Sequence, residues 1–203
     1  MATVGEALFF GVKRHDRATL SDVLRHALTE EARRRVDAIR EPDFSKKSND
    51  EIVESVRAAL AVEPLILLRE QGKGDVTERD IHVESFRGGT VAVKGLQVVQ
   101  RVPFTGDPAL WELQPSQYDY SPPHGMVQGN DLIVGISVRE NEKEAAIAHI
   151  KSTLDKVQIY IDRQTPDVMK FNEELSAAIV PHVVARRSTI ESAKDLSGRL
   201  DGI

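Results

Sequence analysis

The chain has 203 residues, of which 40% are hydrophobic and 29% are charged, and its formal net charge at pH 7 is −5. This composition is typical of a folded globular protein, and the length suffices for one large domain with its own core. The absence of cysteine excludes disulfides, thiolate-ligated metals and thiol nucleophiles, and the negative net charge gives no bulk attraction to nucleic acid. No apolar run approaches the about 20 residues of a membrane span, and the run Ala7 to Phe10 is too short for a secretory signal. We therefore expect a cytoplasmic protein with no membrane partner.

Residues 1–63 are predicted to be helical. Apolar residues recur at helical spacing from Thr19 to Arg40, which predicts an amphipathic helix that ends before Pro42. The following segment, Glu41 to Asn49, is polar apart from Phe44. Ser48, with Glu51 three residues later, forms a capping-box pattern and predicts a second helix that ends before Pro64.

Residues 64–140 are predicted to form an antiparallel sheet. A short apolar run, Leu65 to Leu68, indicates the first strand. Alternating apolar residues on both sides of Gly88-Gly89 predict a hairpin, and a second hairpin is predicted across Gly129-Asn130, with Leu132, Val134, Ile136 and Val138 on one face. Gly95 is interpreted as a bulge in a strand that continues to Phe104.

Residues 141–203 are predicted to form a long helical hairpin. The spacing of Ile147, Ile150, Leu154, Val157 and Ile161 is that of a helix packed along a narrow seam. Thr165-Pro166-Asp167 is interpreted as the end of that helix and the start of the next, which Pro181 is expected to kink. The fold class that follows is α+β, with N-terminal helices, a central antiparallel sheet and the C-terminal hairpin in one domain, 1–203. The last residues, Asp201-Gly202-Ile203, resemble a helix C-terminus followed by one apolar residue, which we interpret as an interruption of a longer protein.

Motifs of catalysis and cofactor binding are absent from the sequence. It has no phosphate-binding glycine motif, no nucleophile elbow and no closely spaced histidine pair. We expect no catalytic residue, no metal and no cofactor. The alternative is a metal-dependent nuclease that uses Asp75, Glu78 or Asp80. Such a site requires an acidic residue two positions before its lysine, and the residue two positions before Lys94 is Ala92. A charged strand edge also accounts for these acids.

Binding candidates concentrate in the Pro-rich stretch from Val102 to Val127. This stretch carries aromatic and polar residues on predicted irregular backbone, namely Asp107, Trp111, Tyr118, Tyr120 and His124. They are interpreted either as a recognition surface or as side chains that pin the stretch to the core. Arg186 and Arg187 are candidates for contact with a phosphate or an acidic partner, and ordinary partners of a helix dipole are the alternative.

Several of these motifs resemble those of an uncharacterised group of bacterial proteins. They are Val102-Pro103-Phe104-Thr105-Gly106-Asp107, Leu113-Gln114-Pro115-Ser116-Gln117-Tyr118, Pro122-Pro123-His124-Gly125 and Asp131-Leu132-Ile133-Val134, with Phe171-Asn172-Glu173-Glu174-Leu175 and Arg186-Arg187. The resemblance covers roughly residues 100–203. It implies an N-terminal module that precedes a Pro-rich linker and a restriction-endonuclease-like domain, which would lie beyond Ile203.

The resemblance and the residues together predict a non-catalytic recognition or regulatory module associated with a nuclease, in bacterial defence against foreign DNA. A nuclease in its own right and a homo-oligomerising scaffold are the alternatives. A homodimer through the C-terminal helices is predicted because the seam from Ile147 to Ile161 exceeds what the chain's own sheet is expected to cover. A protein or nucleic-acid partner is expected through the downstream domain.

Overall fold

The computed structural model describes residues 2–10, 19–84, 88–119 and 121–200. The helices are α1 (Leu20–His26), α2 (Ala32–Asp37), α3 (Glu41–Lys46), α4 (Asn49–Leu60) and α5 (Lys143–Leu200), and a π-helical turn, Ala27–Glu31, joins α1 to α2. The strands are β1 (Ala2–Thr3), β2 (Glu6–Ala7), β3 (Ile66–Leu67), β4 (Lys73–Glu84), β5 (Thr90–Thr105), β6 (His124–Gln128) and β7 (Asp131–Val138). Short 3₁₀ helices occur at Arg69–Gln71, Pro108–Glu112 and Glu140–Glu142. The predicted α+β class is confirmed, and none of the described helices is long and apolar enough to cross a membrane.

All seven strands of the described residues form one antiparallel sheet. The order is β2-β6-β7-β5-β3, with β1 also paired to β7 and β4 also paired to β5. Both predicted hairpins are confirmed: β4 and β5 pair through Ile81 and Val93, and β6 and β7 pair through Met126 and Ile133. Gly129 has a φ of 60°, which places the second turn in the left-handed region that glycine favours.

The β4–β5 hairpin reaches beyond the rest of the sheet. Strand β5 pairs with β4 over Thr90–Arg101 but with β7 only from Leu96 onward, so 79–84 and 90–95 pair with each other alone. The predicted bulge at Gly95 is wrong, because the β4–β5 register runs without interruption. Glycine is needed there for space: a Cβ would lie 2.7 Å from the Val138 carbonyl oxygen and 2.8 Å from Ile81 Cδ1.

The chain divides into two compact units, whereas the sequence suggests one domain. The first unit contains 1–20 and 63–166, and the second contains 21–62 and 167–203. In the first unit, the sheet residues Ile136 and Val138 pack with Ala146 of α5. Leu96 and Val98 of β5 pack against the same cluster. This face of the sheet is therefore the one that helix α5 covers.

The second unit is held together by α4 and the later part of α5. The capping box at Ser48 is confirmed: the Glu51 amide donates to the Ser48 hydroxyl at 3.2 Å, and the Ser48 amide donates to the Glu51 carboxylate at 2.8 Å. These bonds favour the charged carboxylate and lower the pKa of Glu51. The Asn172 side chain closes the far end of α4 by accepting from the Val62 amide at 3.1 Å and donating to the Val62 carbonyl at 2.8 Å.

Helix α5 is continuous over 58 residues, so the predicted helical hairpin is wrong. Pro166 and Pro181 both lie inside the helix, where a proline costs about 3 kcal/mol. The buried stripe nevertheless continues past Pro166 through Val168, Phe171, Leu175, Ile179, Val183 and Ile190. Because each such side chain contributes about 1.5–3 kcal/mol on burial, the stripe outweighs the two prolines and keeps the chain helical.

Gly135→Ala should destabilise the first unit. A Cβ at Gly135 would lie 2.6 Å from the Val98 carbonyl oxygen and 2.7 Å from Val99 Cγ1, so the β5–β7 backbones must separate. We expect a loss of about 1–3 kcal/mol, measured by chemical unfolding. Gly74→Ala is the control, because its Cβ would have Val99 carbonyl oxygen 4.0 Å away. Equal stability of the two variants would contradict this account.

Candidate recognition site

The connection between β5 and β6, here called the Pro-rich segment (residues 106–123), contains no strand among its described residues. It begins at Gly106, whose φ of 101° and closeness to the Pro64 carbonyl leave no room for a side chain. Asp107 then caps the 3₁₀ helix Pro108–Glu112, since its Oδ1 accepts from the Ala109 amide at 2.9 Å. The Asp107 carboxylate, predicted as a binding group, therefore has a structural role.

Trp111 anchors the Pro-rich segment in the core. Its side chain is 2% exposed, with ring centroids 5.2 Å from Phe9 and 5.1 Å from Phe104, the latter edge to face. The Phe9 amide also donates to the Trp111 carbonyl at 2.6 Å. The prediction that Trp111 offers contact area to a partner is wrong, and the alternative, a side chain that pins the segment, is the observed role.

Three side chains of α5 bind the backbone of the Pro-rich segment, and we call them the α5 clamp (Tyr160, Arg163 and Gln164). The Tyr160 hydroxyl accepts from the Asp119 amide at 3.0 Å and donates to the Asp119 carbonyl at 3.1 Å. Gln164, 2% exposed, donates through Nε2 to the carbonyls of Leu110 at 3.0 Å and Leu113 at 2.7 Å. These bonds satisfy polar backbone groups that no strand partner satisfies.

The third member of the α5 clamp supplies charge. Arg163 Nη1 lies 3.3 Å from Asp119 Oδ2, and the guanidinium carbon is 5.5 Å from the Tyr160 ring centroid. The pairing fixes the Asp119 side chain beside the backbone that Tyr160 holds. None of the three residues is among those predicted from the sequence, although a polar Gln164 inside an apolar helical stripe is a usable signal.

Two of the predicted binding residues lie on the surface. Tyr118 is 41% exposed and directly precedes the clamped Asp119. His124 is exposed at the start of β6, where it pairs with Ala7 of β2. Tyr120 lies outside the described residues. Among the described candidates of the Pro-rich segment, Tyr118 is therefore the exposed aromatic residue.

The two predicted arginines lie in the second unit. Arg187 Nη1 and Nη2 donate to the carbonyls of Phe44 and Lys47 at 2.8 and 2.7 Å, and Nε donates to Asn49 Oδ1 at 2.5 Å. The positive charge of Arg187 at the last carbonyls of α3 interacts favourably with the negative end of the helix dipole. Arg187 is thus used inside the chain, against the prediction of a partner contact, while Arg186 Nε is buried without a hydrogen-bond partner in the described part of the chain.

The acidic residues of β4 do not converge. Successive side chains of a strand point to opposite faces, so Asp75 lies on one face and Glu78 and Asp80 on the other. Lys94 Nζ lies 2.9 Å from Asp80 Oδ1, and its hydrogen bond and charge lower the pKa of Asp80. Within the described ranges, no three His, Asp or Glu side chains form a group that could hold a metal ion.

Tyr160→Phe should loosen the Pro-rich segment without removing the aromatic ring. The Asp119 amide and carbonyl lose their partner, so we expect a destabilisation of about 1–2 kcal/mol. Hydrogen exchange of the Asp119 amide should also become faster. Gln158→Ala is the control, since its amide bonds Asp162 on the exposed side of the same helix. Unchanged exchange at Asp119 would show that the hydroxyl does not hold the segment.

Arg187→Ala should destabilise the second unit by about 2–3 kcal/mol, because it leaves the end of α3 without its charged donor. Arg187→Lys should restore only part of this loss, since an ammonium group cannot reproduce the planar guanidinium contacts. Thermal unfolding compares the two variants. A lysine variant as stable as the parent would mean that charge alone acts at this position.

Comparisons with known proteins give no match for this chain: no protein-family model, no curated protein and no solved structure is similar to it. The resemblance of residues 100–203 to a group of nuclease-associated bacterial proteins therefore stays a prediction.

Proposed function

We propose that this chain is a non-catalytic recognition module that binds a protein partner through the surface around Tyr118. One observation carries the proposal: the α5 clamp holds the backbone at Asp119, while the neighbouring Tyr118 stays 41% exposed. Exposed tyrosines on fixed backbone are typical of the residues that dominate protein interfaces. The arrangement presents an aromatic side chain instead of burying it.

The Pro-rich segment supports binding because it is already ordered. Pro115, Pro122 and Pro123 each fix a backbone φ angle, and the α5 clamp bonds the backbone of Leu110, Leu113 and Asp119. Ordering one residue of a mobile loop costs about 1–2 kcal/mol. That loss occurs on folding here, so less affinity is lost on binding.

The charges favour a protein over a nucleic acid as the partner. The chain carries a net charge of −5, and Arg163, the cation nearest to Tyr118 in the clamp, is paired with Asp119. A phosphate backbone requires unpaired basic side chains in a row. A protein surface requires instead an aromatic contact with polar groups around it, as Tyr118 has in the adjacent Asp119.

We further propose that the partner is a nuclease domain, in bacterial defence against foreign DNA. The resemblance of residues 100–203 supports this finer proposal. The reading frame that contains the chain tests it, because a restriction-endonuclease-like domain should follow residue 203. The chain alone should neither bind Mg²⁺ or Mn²⁺ tightly nor nick plasmid DNA, and nicking that Asp80→Asn abolishes would overturn its non-catalytic assignment.

Tyr118→Ala tests the recognition surface. Because Tyr118 is exposed, the substitution should change the free energy of unfolding by no more than about 0.5 kcal/mol. The nuclease activity of the intact protein on plasmid DNA should fall. Tyr118→Phe is the matched control, which keeps the ring and should keep the activity. Tyr120→Ala forms a second arm of the same experiment.

Two results would contradict the recognition surface. A large fall in melting temperature for Tyr118→Ala would make the ring a pin, as Trp111 is. Unchanged activity in a folded Tyr118→Ala protein would leave the Pro-rich segment with a structural role alone.

A further inference from the structure

Strand β4 has a long free edge. Over its 12 residues it pairs with β5 on one side, and no other described strand pairs with it on the opposite side. Its residues 73–80 are all exposed, including Val76 at 56%. A row of free backbone donors and acceptors of this length is a template for another strand.

Several charged residues on this edge have no ion-pair partner within the described chain. Asp80 pairs with Lys94, whereas Lys73, Asp75, Glu78 and Arg79 make no salt bridge with any described residue. Asp75 and Arg79 have opposite charges, are four residues apart on one strand and therefore point to the same face of the sheet. They lie about 13 Å apart along β4, so they cannot pair with each other, and a strand added at the free edge would offer each a partner.

We propose that β4 pairs antiparallel with β4 of a second copy of the chain, centred on Thr77. A two-fold axis at Thr77 places Asp75 of each copy directly opposite Arg79 of the other, so the dimer contains two such pairs. The remaining pairs, Lys73 with Ile81, Gly74 with Asp80 and Val76 with Glu78, contain no like charges. The sheets of the two copies then form one continuous antiparallel sheet.

The charges select this register. A two-fold axis at Val76 would place Lys73 opposite Arg79, and an axis at Asp75, Glu78 or Arg79 would place that residue opposite itself. Directly opposed like charges destabilise a sheet, whereas opposite charges contribute roughly 0.2–1 kcal/mol per pair. Among axes within two residues of Thr77, the Thr77 axis alone avoids every like-charge pair and forms two opposite-charge pairs.

This edge differs from the surface predicted from the sequence. The helical seam offers little free area, because four of its five residues are buried within the chain, namely Ile150, Leu154, Val157 and Ile161. The fifth, Ile147, is 58% exposed. A dimer through the helix and a dimer through β4 would bring different residues together. The two arrangements can therefore be separated by position-specific cross-linking.

The cysteine-free chain allows a direct test of the register by single cysteines. Thr77→Cys should form a disulfide-linked dimer on mild oxidation, because the two Thr77 Cα atoms face each other at about 4.5–5.5 Å. Asp75→Cys alone should not, since its two copies would be about 13 Å apart along the strands, beyond the about 7 Å that a disulfide spans. A mixture of Asp75→Cys and Arg79→Cys chains should cross-link with each other.

Charge variants test the same contact without a cross-link. Arg79→Glu places two carboxylates opposite each other and should weaken dimerisation by about tenfold or more, measured by sedimentation equilibrium. Asp75→Arg combined with Arg79→Asp exchanges the two charges and should restore the dimer. Lys151→Glu, an equal charge change at an exposed position of α5, should leave it unchanged.

Three results would overturn the inference. One is a parent chain that stays monomeric at high micromolar concentration. Another is equal cross-linking of Thr77→Cys and Asp75→Cys chains. The third is efficient cross-linking of Ile147→Cys chains while Thr77→Cys chains stay monomeric, which would assign dimerisation to the helix.

Discussion

The buried stripe of helix α5 is the constraint on which both units depend. It begins at Ala146, which packs against the sheet in the first unit, and ends at Ile190 in the second unit. Two prolines lie within the helix, and each removes a backbone donor. Because burial of the large apolar side chains contributes more than the prolines cost, the helix forms without a break.

The same stripe also organises the candidate recognition site. Gln164 occupies a buried position that an apolar residue would otherwise fill, and its amide binds the carbonyls of Leu110 and Leu113. Tyr160 extends this bonding to Asp119. A segment rich in proline lacks regular strand partners, so its buried backbone groups need side chains such as these. Helix α5 thus connects the core of the first unit to the exposed Tyr118.

The sheet combines a protected centre with an open edge. Strand β7 is buried along Leu132–Val138 between β5 and β6, whereas β4 is exposed along 73–80. Charged side chains on an edge strand oppose uncontrolled aggregation. On β4 the order of the charges also favours one symmetric partner register, since Asp75 and Arg79 are equidistant from Thr77. Protection of the edge and specific self-pairing therefore use the same residues.

The features that depend on a few neighbouring residues could be predicted from the amino-acid sequence. The capping box at Ser48, both hairpins and the α+β class follow from local chemistry and alternation. Other features depend on tertiary packing. The rule that a proline ends a helix predicts a break at Pro166, but it takes no account of the buried side chains that keep α5 helical. Sequence alone does not distinguish Trp111 from Tyr118, whereas in the structure Trp111 is buried against Phe9, which is distant in sequence, and Tyr118 is exposed. Residues far along the chain decide whether a proline breaks a helix and whether an aromatic side chain is exposed. The periodicity within one segment carries no information about those residues.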